Sequence, residues 1–153
     1  MSTQLDPQHT VHTRHGARVP PPASVAGGNL GAAVVNGVLY YLINVAPGWQ
    51  AVPFLTADTP RVLPAVNAAI IASIVVNIVT ALVRAPRLRA LGDVVTIGFG
   101  IVALIELWTV FPFDYGPDSA WTVVTRVLLA VGFVGSGFGL LVSLVRIATG
   151  RPA

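Results

Sequence analysis

Four apolar runs, each near the length that crosses a bilayer, constrain this chain more than any other feature. They cover about residues 27–46, 62–83, 90–111 and 119–147. A helix rises 1.5 Å per residue, so about 20 residues span the roughly 30 Å of hydrocarbon. Helix-stopping sequences bound the runs: Pro47-Gly48, Arg84-Ala85-Pro86-Arg87, Pro112 and Gly150-Arg151-Pro152. Only 10% of the residues are charged and 54% are hydrophobic. A soluble domain averages about 25% charged residues, so this chain has too few to coat a globule. The helices also lack the polar face that a soluble bundle needs. The sequence therefore predicts an all-α integral membrane protein, a four-helix antiparallel transmembrane bundle over 27–149.

Residues 1–26 read differently. Pro7, Pro20, Pro21 and Pro22, three histidines, Arg14 and Arg18 offer little apolar surface to offset ordering entropy, so a disordered tail is expected. Residues 150–153 form a short second tail. The first apolar run follows arginines, as a signal peptide does, but it ends Asn44-Val45-Ala46-Pro47 and lacks a small-x-small cleavage site. We read it as a retained span.

Arginine placement sets the expected orientation, because cations near spans stay on the cytoplasmic side. There is no lysine, and seven of the nine arginines fall in the first tail, in segment 84–89 or at the C-terminal end from Arg146 onward. The connections 47–61 and 112–118 carry Arg61 against Asp58, Asp114 and Asp118. Both termini and the central turn should thus be cytoplasmic. Trp49, Trp108 and Trp121 would share the outer interface, with Phe111, Phe113 and Tyr115 beside them. Rich Ala, Val, Gly, Arg and Pro usage suggests a bacterial source, which places the chain in the bacterial inner membrane. Each outer connection pairs Pro with Phe, at 53–54 and 112–113. A duplicated hairpin is compatible with that, but no repeat is convincing.

Chemistry-bearing residues are few. The absence of cysteine removes disulfides, thiolate metal sites and cysteine nucleophiles. All histidines lie in the first tail, so a Ser/His/Asp set and a histidine-ligated haem within the membrane are implausible. The spacing His9-x-x-His12-x-x-His15 would suit a metal only on an ordered helix. Asp58, Asp114 and Asp118 form turns at least as readily as a divalent-ion site. No metal, cofactor or catalytic residue is expected, and the arginines mark membrane edges, not a nucleic-acid footprint.

Inside the spans, amides and hydroxyls follow helical spacing. Asn29, Asn36, Tyr40 and Asn44 share a face of the first helix, and Ser73, Asn77 and Thr80 share one on the second. An amide in hydrocarbon needs a partner, so both faces should point inward, to bond each other or to line a path for a small solute. Glu106 and Arg126 are the ionisable residues deepest in the spans, and such residues mark function by default. Counted from the outer ends, their depths are similar, and Asn44 and Asn67 fall in the same layer. A Glu106–Arg126 ion pair within this polar layer is expected. Asp93, near the cytoplasmic end of the third span, reads as interfacial or as a partner of Arg89. In the fourth span, Gly132, Gly135, Ser136 and Gly139 give small-x-x-x-small patterns that permit close helix approach. They serve either a homo-oligomer or partner interface, or packing within the chain.

Three function classes follow. A non-catalytic accessory or scaffolding subunit, or a small homo-oligomer, fits the small size and packing motifs. A small transporter or ion-coupled permeation unit would use Glu106 and Arg126. A membrane-bound enzyme is disfavoured for want of any catalytic cluster.

Overall fold

The computed structural model describes residues 22–83 and 85–149. The first tail up to residue 21, with its histidines, and residues 150–153 lie outside the described residues. Four helices make up most of what is described: α1 (Pro22–Asn44), α2 (Thr59–Leu82), α3 (Pro86–Val110) and α4 (Ala120–Thr149). All four are long and apolar enough to cross a membrane, and at most 17% of any such span is buried within the protein. No strand occurs among the described residues.

Proline and glycine set the helix ends. Pro60 and Pro86 stand in the first turns of α2 and α3, where a missing N–H costs nothing. Pro22 opens α1, so residues 22–26, expected to belong to the tail, are helical. α3 ends at Val110, since the following Pro112 keeps Phe111 out of the right-handed helical region, and Phe111 caps the helix in the left-handed region at φ 45°. Pro112 itself is fully buried. Gly48 and Gly116, both at φ 84°, turn the two longer connections where a Cβ would be strained.

Those two connections meet. Leu55 and Phe113 form an isolated antiparallel bridge, with Thr56 N–H donating to the Pro112 carbonyl at 3.1 Å and Asp114 N–H to Phe54 at 2.8 Å. Phe54 stacks on Tyr115 with ring centres 5.3 Å apart. The connections therefore lie together at one end of the molecule, the clasp end. Val83 and Ala85, between α2 and α3, belong to the opposite or turn end.

The packing is serial. α1 packs on α2, α2 on α3 and α3 on α4, and among the described residues no other pair of helices packs to a comparable extent. A closed four-helix bundle would also join first helix to last. The reason lies in where the small residues fall. At Gly92 an added Cβ would sit 2.6 Å from a Val76 methyl, so the Val76 side chain of α2 packs directly on the Gly92 backbone of α3. Gly132 and Gly139 each bring α4 close to α3, where a Cβ would lie 3.3 Å from Leu104 and Ile97 respectively. Gly135 lies between them in sequence but has open space around it. The expected small-residue motif is thus divided, with Gly132 and Gly139, seven residues apart, serving internal packing.

Candidate functional site

Between α1 and α2 the polar faces interlock as three rungs. Asn29 donates to the Thr80 hydroxyl at 3.3 Å, Asn36 to the Ser73 hydroxyl at 3.2 Å, and Asn44 to Asn67 at 2.9 Å. Asn67 returns a second amide bond to Asn44 at 2.7 Å. Asn77 shares the Ser73 hydroxyl at 3.2 Å and also bonds the Ser73 carbonyl. These bonds occupy the amides with protein partners. Interhelical bonds of this kind average about 0.6 kcal/mol in a membrane, so the ladder fixes register more than it supplies stability.

Glu106 and Arg126 do not pair. Arg61–Asp58, at 3.5 Å near the clasp, is the ion pair found among the described residues. The Arg126 guanidinium instead lies 4.3 Å from the Phe111 ring centre and 5.5 Å from that of Trp108. Such cation–π contacts are worth about 0.5–2 kcal/mol, rising as water is excluded. The reason is azimuth. Trp108 faces α4, where its ring meets Phe133, and Leu104 faces Gly132. Glu106 is two residues from each, a rotation of about 200° at 3.6 residues per turn. It therefore lies on the side of α3 away from α4. The four residues expected in one polar layer divide into an amide pair, an arginine on aromatic rings and a half-buried carboxyl on another face.

The other outer acids make local structure. Asp58 pairs with Arg61, and Asp114 Oδ1 accepts the Gly116 N–H at 2.9 Å to close a turn. Among the described residues, no group of three or more acids or histidines is placed to hold a metal.

A further candidate site lies toward the turn end, in a cavity of about 430 Å³ lined by all four helices. Asn29 of α1 and Asn77 and Thr80 of α2 form one wall. Arg89, Asp93 and Thr96 come from α3, and Ser143 and Arg146 from α4. Ser143 is buried, Asp93 and Thr96 are half-buried, and both arginines are exposed. Arg89 and Arg146 each lie three residues from a helix end, roughly 4.5 Å along the axis, whereas Asp93 lies seven residues in, roughly 10 Å. Asp93 has no ion pair with either arginine. Among the described residues the site thus has two exposed arginines toward the mouth, with a carboxyl group, amides and hydroxyls deeper. A concave space of this volume with a few convergent polar groups is the usual form of a small-ligand site.

Sequence reasoning singled out Asn29, Asn77 and Thr80 but not the rest as a site. The signal was present. Arg89, Asp93 and Thr96 repeat the four-then-three spacing of Ser73, Asn77 and Thr80, and so do Gly139, Ser143 and Arg146.

No protein-family model, curated protein or solved structure matches this chain. Its chemistry must be read from its own residues.

Proposed function

We propose that the chain is a small multi-pass protein of a bacterial cell membrane, acting without catalysis as an accessory or scaffolding subunit or as a homo-oligomer. The observation that carries this reading is the serial packing. Each helix packs extensively only on its neighbours in the chain, and α1 and α4 face each other across the cavity that both line. Small residues with open space stand on both end helices, Gly31 on α1 and Gly135 on α4. In lipid, helix association depends on close backbone approach, and such positions permit it. Shared location of the two connections at the clasp end supports an antiparallel row, as does the falling order of α1–α2 partners, 29 with 80, 36 with 73 and 44 with 67. Arginine placement then sets both termini inside.

The test is the mass of the protein after extraction in mild detergent, by light scattering on a sizing column. A homo-oligomer or a stoichiometric membrane partner is expected, and Gly135→Ile or Gly31→Ile should dissociate it. A lone monomer in wild type, with no partner retained, refutes the reading.

A second reading is favoured by the cavity: a small solute-handling protein, a transporter or permeation unit. It no longer rests on a Glu106–Arg126 pair, which the structure does not form, but on the four-helix polar cavity.

A further inference from the structure

We infer that the cavity toward the turn end binds a small zwitterion, a primary ammonium joined by a short chain to an anionic oxyacid group, entering ammonium first. This names the ligand class for the solute-handling reading and rests on it.

The argument is one of charge order. Arg89 and Arg146 place two guanidinium groups toward the mouth. Asp93 sits about four residues, or roughly 6 Å, deeper than Arg89 on the same helix. Arg89 is at the i−4 position to Asp93, where a helical ion pair forms easily, and Arg146 lines the same cavity. Neither reaches the carboxylate within ion-pair distance. Charges of both signs are thus held apart within one space, with the negative one inside. A simple anion would meet the carboxylate after passing the arginines. A simple cation would have to pass two arginines to reach Asp93. A molecule with both charges satisfies each in turn.

The remaining lining fits the same ligand. The Thr96 hydroxyl donates to the Gly92 carbonyl at 2.9 Å, leaving its lone pairs available to an ammonium N–H. The side-chain oxygen of Asn77 is a further acceptor, its amide nitrogen being committed to Ser73. Val76, Ile97 and Val142 supply apolar wall for the connecting carbons. The order also separates a soluble ligand from a lipid headgroup. A bilayer phospholipid carries its phosphate nearer the acyl chains than its ammonium, the reverse of what the arginines and Asp93 present.

The experiment uses the full chain in phosphatidylglycerol nanodiscs, titrated calorimetrically with phosphoethanolamine, inorganic phosphate and ethylammonium. Phosphoethanolamine should bind, and more tightly than either half. Asp93→Asn should weaken it about tenfold, the loss expected for one charged hydrogen bond, while inorganic phosphate is unchanged or tighter. Arg146→Gln should weaken phosphoethanolamine and phosphate together. Unaltered sizing profiles and unfolding midpoints establish that both variants fold; if either fails, Asp93→Glu and Arg146→Lys replace them, with partial loss expected. If phosphate or ethylammonium alone binds as tightly as phosphoethanolamine, or if Asp93→Asn changes nothing, the zwitterion is refuted while the solute reading survives. If none of the three binds, both fall. If phosphatidylethanolamine in the nanodisc blocks the titration, the ligand is a lipid headgroup and the proposed order of entry is overturned.

Discussion

The tight seat of the Val76 side chain on Gly92 gives the sharpest test. A Cβ at Gly92 would lie 2.6 Å from Val76 Cγ1, against about 3.5–4.0 Å for optimal carbon contact, so roughly 1 Å of movement is required. Val76 is β-branched and stiff in a helix, so it cannot swing aside cheaply. Overpacking of this kind costs about 1–3 kcal/mol. Gly92→Ala also gains helix propensity, about 1 kcal/mol in water, which would mask part of the clash. A double-mutant cycle removes that mask, because the propensity gain is the same whether residue 76 is valine or alanine. We expect Gly92→Ala to destabilise by about 1–3 kcal/mol more in the Val76 background than in the Val76→Ala background. The assay is reversible unfolding in mixed micelles of rising SDS fraction, followed by circular dichroism. Gly135→Ala, whose new methyl meets nothing within the chain, serves as control and should not destabilise the monomer. A coupling below about 0.5 kcal/mol would refute the close α2–α3 approach and with it the packing of the row.

Other outcomes follow from the polar contacts. Asn67→Leu should cost about 0.6–1.7 kcal/mol by removing both amide bonds to Asn44, whose NH2 then keeps only its bond to the Tyr40 carbonyl, and adding Asn44→Leu should recover part of that loss in the same assay. Arg126→Gln should cost about 0.5–2 kcal/mol by removing its aromatic contacts, with Arg126→Lys intermediate. Its cost should be the same in wild type and in Glu106→Gln, since the two side chains do not meet; a difference above about 0.5 kcal/mol would restore the ion pair. For the proposed orientation, cysteines placed at Asp58 and Asp118 should react with an impermeant maleimide in intact cells while one at Arg87 stays protected. The opposite pattern reverses the orientation and moves the cavity mouth to the outer face.

What could be read in advance was whatever depends on depth or local spacing. The four helices were legible because long apolar runs end at Pro47, Pro86 and Pro112, whose effect on the backbone is local. The α1–α2 amide ladder was foreseeable because Asn29, Asn36 and Asn44 stay on one face through two turns at a time. Glu106 shows the limit. Its depth matched Arg126, but depth fixes one cylindrical coordinate and leaves the other free. The angle is set by Leu104 and Trp108, whose role on the α4 side became apparent only once Gly132 and Phe133 were seen opposite them. The row was illegible for a related reason. The α4 glycines announce a close contact without naming its partner. Gly132 and Gly139 turned to α3, and Gly135 did not. The cavity was within reach of the spacing rule, but Arg89, Asp93 and Arg146 sit near helix ends, where charges are expected for topology and so draw no notice.

Serial packing also bears on how such a chain is made. In a closed bundle the first helix waits for the last before its interface is complete. Here α1 has its principal partner as soon as α2 has emerged, α2 its second as soon as α3 has, and each loop to be closed is only as long as the connection between neighbours. The amide ladder needs nothing beyond residue 82. A chain that ended after α2 would already contain every partner of the Asn29, Asn36 and Asn44 rungs, so this interface needs no later helix to complete it.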